Sequence, residues 1–114
     1  MAEEFDPKNI SFVIDTAWIS AGGGDVCAWL EKLAGRIDIL HLKDIEPFYN
    51  ENKKITQGYT EIGNGNIWWD GVLETAERIG VKHYVVEQDG RWIDGDPFKS
   101  LQVSRDYLIR YMKP

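Results

Sequence analysis

The sequence predicts an α/β fold in which parallel strands alternate with helices. Three short apolar runs each end in a residue that can bind a metal: Ile10–Asp15 reads ISFVID, Ile37–His41 reads IDILH, and His83–Glu87 reads HYVVE. Nearly continuous apolar runs are typical of strands that are covered on both faces. Helical patterns separate the runs, so we expect about three βα units with parallel strands.

Helices are predicted after each of these runs. Asp25 and Asp70 are placed to cap the first two, which carry apolar stripes and are each followed by a glycine. Asp96 and Pro97 open the last helix, with proline at the first helical position. The apolar residues of that helix are Phe98, Leu101, Leu108, Ile109 and Met112.

The connections that follow the strands are long and polar, whereas those that lead into the strands are short. Thr16–Gly24, Lys43–Asn66 and Gln88–Gly95 are predicted to be loops. Loops of this length in compact domains are often functional. In parallel α/β folds the site lies at the carboxyl ends of the strands, where these loops begin.

Three residues of the second loop each have two possible roles, and a fourth has a single expected position. Asp44 either orients a neighbouring ligand or lysine, or caps a turn. Gly63 and Gly65 either let the backbone approach a ligand or form a plain turn before the second helix. Glu61 is expected to lie at the surface.

Asp15, His41 and Glu87 occupy equivalent positions at the ends of the three runs. Because side chains alternate along a strand, each shares a face with the residue two places before it. If the three faces point the same way, the trio meets at one rim, where carboxylates and an imidazole would suit a divalent cation. The alternative is three unrelated polar strand ends, and spacing alone favours that alternative.

Size and charge restrict the partners. The 114 residues fit one domain spanning 1–114, and the net charge of −6 disfavours nucleic acids and anionic membranes.

Cys27 is the single cysteine, so no intramolecular disulfide can form. The acidic N-terminus lacks the apolar region of a signal peptide. We therefore expect a cytoplasmic protein.

Four motifs together resemble the C-terminal part of the xylose-isomerase-like sugar phosphate isomerases and epimerases (AP endonuclease family 2). They are FVIDTAW, DILHLKD, EIGNGNI and YVVEQD, and they match that family in order and spacing. The resemblance extends over nearly the whole chain from Asp6 onward. It implies a partial (β/α)8 TIM barrel, in which the three runs are the sixth to eighth strands.

The same resemblance implies a divalent metal, which is Mn, Mg, Co or Zn, held by Glu, Asp, His and Glu. Asp15, His41 and Glu87 match the last three ligands, and Glu87 also matches a glutamate that moves the proton in related epimerases. The first glutamate belongs to an earlier strand that has no counterpart here, so the cation site of this chain is incomplete. Trp18 stands where relatives often have a substrate-binding histidine, and its indole would offer a stacking wall.

The implied activity is isomerisation or epimerisation of a sugar or sugar phosphate by proton transfer next to a carbonyl. Trp18, Lys43 and Arg91 are the candidate substrate contacts, although a solvated role is the alternative for Lys43. The acidic charge and the two histidines disfavour a DNA-repair endonuclease.

Three βα units cannot close a barrel, so sheet edges are expected to remain open. We expect the isolated chain to be inactive and to form a homo-oligomer, a dimer, that covers those edges. A non-catalytic truncated barrel domain that self-associates is the alternative function.

Overall fold

The computed structural model describes residues 2–111, and a short 3-10 turn at Ala2–Glu4 precedes the main elements. In chain order these are β1 (Phe12–Asp15), α1 (Thr16–Ala21), α2 (Val26–Lys32), β2 (Ile37–Leu42), β3 (Asp44–Tyr49), β4 (Ile55–Thr60), α3 (Trp69–Arg78), β5 (His83–Val86) and α4 (Pro97–Leu108). A second 3-10 turn, Ile93–Gly95, leads into α4. The predicted alternation of parallel strands and helices is confirmed.

The central feature is a three-stranded parallel sheet in the order β1-β2-β5. Asp15 lies opposite His41 in the β1–β2 register, and His41 lies opposite Val85 in the β2–β5 register. The ladder extends past β5, because the N–H of Glu87 donates to the carbonyl of Leu42 at 3.1 Å. The three predicted ligands therefore lie close together at the carboxyl edge of the sheet, with Glu87 two residues beyond the position opposite His41.

The two faces of the sheet have different surroundings. On one face Leu40 and Leu42 are buried among apolar residues of α2 and α3 and form the core. On the other face Val13 is 57% exposed and Val85 is 43% exposed. Alternation along the strands places Asp15, His41 and Glu87 on this open face with the valines. The faces therefore align as the fold prediction required.

The segment Lys43–Asn66 is not a simple loop, and that prediction was wrong. It contains an antiparallel hairpin in which β3 pairs with β4 along its whole length. Pro47 and Gly58 interrupt the strand pattern, and both residue types are rare in strands. A two-stranded ribbon has two open edges, so Pro47 is tolerated in β3.

The segment Thr16–Gly24 was also expected to be a loop, but it begins with the short helix α1. Asp15 is the N-cap of α1, and its Oδ1 accepts a hydrogen bond from the N–H of Trp18 at 3.1 Å. A capping aspartate satisfies an N–H that the helix leaves without a partner. The first predicted ligand thus also begins a helix.

The other helices begin close to the predicted positions. Asp25 and Asp96 cap α2 and α4 as expected, each by accepting a backbone N–H. The prediction that Asp70 caps the second helix was wrong, because α3 begins at Trp69 and Trp68 occupies the N-cap position. Asp70 lies instead in the first turn, where a carboxylate interacts favourably with the helix dipole.

Up to Ser104, helix α4 packs through small polar residues rather than through its large apolar ones. Ser100 and Ser104 are each 1% exposed, whereas Phe98 is 78% exposed and Leu101 is 49% exposed. Leu108 packs against the core, Ile109 is 48% exposed, and Met112 lies outside the described residues. Within residues 2–111, no helix has the length and apolar character needed to cross a bilayer.

Candidate metal centre

The three predicted ligands converge at the rim of the open face. One ligand atom from each of Asp15, His41 and Glu87 lies within 4.8 Å of the other two. Nδ1 of His41 is 2.6 Å from Oε2 of Glu87, and both side chains are about one third exposed. The cluster is therefore formed by the fold and remains open to a small molecule.

Asp15 is held by both of its carboxylate oxygens. Oδ1 caps α1 through the N–H of Trp18, and Oδ2 lies 3.5 Å from Nζ of Lys43. The strand ends at this residue because the cap turns the backbone into α1. The carboxylate is thus fixed at the rim by the same bond that begins the helix.

Lys43 lies inside the cluster, and its side chain is only 3% exposed. Its ammonium is 3.2 Å from Oε1 of Glu87 and 2.5 Å from Oδ2 of Asp89, in addition to its contact with Asp15. Burial opposes the charged form, but hydrogen bonds to Asp89 and Glu87 outweigh it and raise the pKa of Lys43 above its usual value. The ammonium therefore carries its charge in the centre of the site.

Asp89 is a member of the site that the sequence motifs did not single out. Its hydrogen bond with Lys43 holds the pKa of the Asp89 carboxyl below its usual value. Side-chain parity offers a signal for it, because Asp89 follows Glu87 by two residues just as Lys43 follows His41. The candidate ligands thus have charged neighbours on the same face.

The other two predicted substrate contacts occupy different environments. Trp18 is 62% exposed at the rim, and its ring centre lies 6.0 Å from Nζ of Lys43. Arg91 instead packs on the β3–β4 hairpin, with its guanidinium 4.0 Å from the ring centre of Phe48 and 3.0 Å from the carboxylate of Glu46. Trp18 therefore faces the site directly, whereas the guanidinium of Arg91 is engaged by the hairpin.

Asp44 organises the loop that leads into α3. Its carboxylate is fully buried and accepts hydrogen bonds from the N–H groups of Ile45, Gly63, Gly65 and Ile67 and from the indole of Trp69. A Cβ added at Gly65 would lie less than 3.0 Å from Asp44. The two glycines therefore form a turn around a carboxylate, and the capping alternative for Asp44 is the one observed.

Glu61 was expected at the surface, but it is only 6% exposed, so that expectation was wrong. Its Oε1 accepts hydrogen bonds from Oγ of Ser100 at 2.6 Å and from Nε2 of Gln88 at 3.1 Å. Burial alone would raise the pKa of Glu61, but these hydrogen bonds lower it below its usual value. Since Gln88 follows Glu87 directly, this buried network also anchors the segment that carries a predicted ligand.

The residues at the rim fit a divalent cation in donor type and spacing. Two carboxylates and an imidazole are donors that Mn, Mg, Co or Zn accept. Donors bound to one ion at about 2.1 Å are at most about 4.2 Å apart, so a small inward shift would suffice. The ligand atoms of the trio lie within 4.8 Å of one another, which is close to this limit.

Comparison with known proteins gives matches that extend over nearly the whole chain. No family model matches it. It is 29% identical over 119 aligned residues to an inosose dehydratase from Geobacillus thermodenitrificans (strain NG80-2), an alignment that covers 95% of this chain and 40% of that protein. Two crystal structures of a sugar phosphate isomerase/epimerase from Parabacteroides distasonis ATCC 8503 superpose with a TM-score of 0.76 at 26% identity. The superposed region is 94% of this chain and 33% of the solved chain in the first structure, and 96% and 34% in the second.

These matches define the class of protein to which the sequence and the fold of the chain are similar. The resemblance to TIM-barrel proteins of the xylose-isomerase-like sugar isomerase and epimerase type is confirmed in sequence and in structure. The chain spans about two fifths of the curated relative and about a third of the solved structures. It is thus similar to part of a TIM barrel.

Proposed function

We propose that this chain forms part of a metal-dependent enzyme that moves a proton next to the carbonyl of a sugar or sugar phosphate. The convergence of Asp15, His41 and Glu87 on the open face carries the proposal. Their position at the carboxyl ends of parallel strands is where TIM-barrel enzymes have their active sites. Removal of a proton beside a carbonyl is a step that isomerases, epimerases and dehydratases of polyhydroxy ketones can share.

Asp15, His41 and Glu87 would hold the cation, which a longer protein would complete with a further carboxylate. When bound, the cation would supply Lewis-acid polarisation of the substrate carbonyl. Glu87 is the candidate base, because it lies at the open rim and its two oxygens are oriented by His41 and Lys43. If one oxygen of Glu87 gave up its contact with His41 or Lys43, that oxygen could accept a proton from a substrate carbon placed at the rim.

Trp18 is the candidate wall for the substrate. Its exposed indole is three residues beyond Asp15, so an apolar sugar face stacked on it would lie beside the proposed cation site. Lys43 would contact a substrate only by giving up one of its carboxylates, and Arg91 only by leaving Glu46. We therefore assign Trp18 the principal substrate contact in this part of the barrel.

Isothermal titration of the chain with Mn²⁺ tests the proposal. We expect weak binding with one site, and at least a tenfold loss of affinity, about 1.4 kcal/mol, in Glu87→Gln. Glu74→Gln, a substitution on the exposed face of α3, is the matched control and should bind as the parent does. Absence of Mn²⁺ binding by the parent chain would contradict the proposed cation site.

A second candidate function is a non-catalytic domain that self-associates. Val13 and Val85 are exposed on the same open face, one on each outer strand of the sheet, and within residues 2–111 the outer edges of β1 and β5 have no strand neighbour. Unpaired strand edges and exposed apolar side chains favour pairing with another chain. A homodimer that covers these edges together with the exposed valines would account for both features.

A further inference from the structure

Lys43 has the lowest side-chain exposure of the charged residues that meet at the candidate metal centre. Its side chain is 3% exposed, whereas those of Asp15, Glu87 and Asp89 are 18%, 33% and 48% exposed. A charged side chain is rarely buried to this extent unless it is paired. The three carboxylates supply that pairing.

Thr16 holds the backbone of Lys43, and two aromatic rings lie beside its ammonium. Oγ1 of the buried Thr16 donates to the carbonyl of Lys43 at 2.7 Å and accepts from its N–H at 3.0 Å. The ring centre of Tyr59 lies 4.9 Å from Nζ, with the Trp18 ring at 6.0 Å on the same ammonium. Both rings favour a cation. The ammonium is therefore a fixed positive charge rather than a mobile surface group.

The charges around this ammonium do not cancel. Three carboxylates face one ammonium, which leaves two negative charges that one divalent cation would balance. The ammonium touches Oδ2 of Asp15 and Oε1 of Glu87, and these belong to two of the three candidate ligands. A cation bound by the trio would therefore lie within a few ångströms of a fixed charge of the same sign.

We propose that Lys43 is a positioning residue that sets the affinity of the centre for divalent cations. It holds Asp15 and Glu87 together when no cation is bound, and it repels the cation that these carboxylates attract. The inference rests on the proposed cation site. It makes cation binding weaker and more readily reversible than the three ligands alone would allow.

Titration of Lys43→Met with Mn²⁺ tests this inference. Methionine keeps an unbranched apolar stem and removes the charge, so we expect Mn²⁺ affinity to rise by at least about tenfold. Lys82→Met is the matched control, because this exposed lysine precedes β5 and lies roughly 16 Å along the strand from Glu87, beyond the Debye length at physiological salt. Its Mn²⁺ affinity should equal that of the parent.

Thermal unfolding gives a second measurement. In EDTA, Lys43→Met should unfold at a lower temperature than the parent, and Mn²⁺ should raise its unfolding temperature by more than it raises the parent's. If Lys43→Met does not fold, Asp89→Asn provides the test. In this variant the ammonium of Lys43 has only the carboxylates of Asp15 and Glu87 as partners. We then expect Mn²⁺ affinity to fall severalfold, although Asp89 is outside the trio.

The outcomes separate this inference from the proposed function. Tighter binding by Lys43→Met, with Lys82→Met unchanged, supports the inference. Unchanged or weaker binding by Lys43→Met overturns it, as does unchanged binding by Asp89→Asn, while the cation site of the parent stands. Failure of the parent and of every variant to bind Mn²⁺ overturns the inference together with the proposed cation site.

Discussion

Nδ1 of His41 lies 2.6 Å from Oε2 of Glu87, although the two residues are 46 positions apart in the sequence. The parallel pairing of β2 with β5 brings them together, and Lys43 holds the other oxygen of Glu87 at 3.2 Å. Both oxygens of Glu87 are thus directed by neighbours at a rim where its side chain is one third exposed. This geometry suits a residue that serves chemistry more than stability.

Glu87→Gln is expected to leave stability nearly unchanged. The Glu87 side chain is 33% exposed, and Lys43 keeps Asp15 and Asp89 as partners in the variant, so the free energy of unfolding should change by less than about 1 kcal/mol. Urea denaturation of parent and variant measures this. A loss of several kcal/mol would instead make the His41–Glu87 contact a structural one.

Asp44→Asn is expected to be strongly destabilising. In the parent, five N–H groups donate to the buried carboxylate of Asp44. The substitution replaces one of its oxygens with an N–H₂ group, which is a donor. Buried donors that lose their acceptor cost about 1–3 kcal/mol each, so we expect a loss of about 3 kcal/mol or more. Urea denaturation checks it, with the exposed Asp106→Asn as the control that should stay within about 0.5 kcal/mol. Equal stability of both variants would refute this account of the loop.

Glu61 is expected to contribute to stability in a pH-dependent way. Its pKa in the folded chain lies below the usual 4.5, so its contribution is fully present above pH 4.5 and is lost as the pH falls through the folded pKa. Glu61→Gln should therefore flatten the decline of unfolding free energy below pH 4.5. Urea denaturation at several pH values measures the slope, and Glu74→Gln should keep the slope of the parent. An unaltered slope in Glu61→Gln would count against the buried network.

Self-association should depend on the open face. If a second copy covers it, Val13→Glu should shift the chain toward monomer, because it would place a carboxylate inside an apolar interface. Multi-angle light scattering over a range of concentrations measures the mass, and Tyr49→Glu at the exposed end of the hairpin serves as the control. A parent chain that is monomeric at all concentrations would contradict the second candidate function, a non-catalytic domain that self-associates.

The parallel strands and the trio could be predicted because their signal is local. Each run is apolar and ends in a ligand-type residue, and β1, β2 and β5 occupy the predicted places. Parity carried one step beyond the strand ends would also have indicated Asp89, which follows Glu87 by two residues just as Lys43, a predicted substrate contact, follows His41. The sequence therefore contained more of the site than the ligand motifs alone indicated.

What could not be predicted depends on partners that are distant in the sequence. Glu61 is buried only because Ser100 and Gln88, 39 and 27 residues away, satisfy its carboxylate. Asp44 is likewise satisfied by a loop about 20 residues further on. The β3–β4 hairpin escaped prediction because Pro47 and Gly58 break its strand pattern, and pairing compensates for them.

Paramagnetic broadening by Mn²⁺ in the ¹⁵N-labelled chain tests the cation site most directly, because it reports where the ion binds. We predict that sub-stoichiometric Mn²⁺ broadens the amide signals of Asp15, His41, Glu87 and their immediate neighbours, and spares Lys82 and the turn between β3 and β4. Broadening centred on another acidic segment, or none at these three residues, would contradict the proposed site.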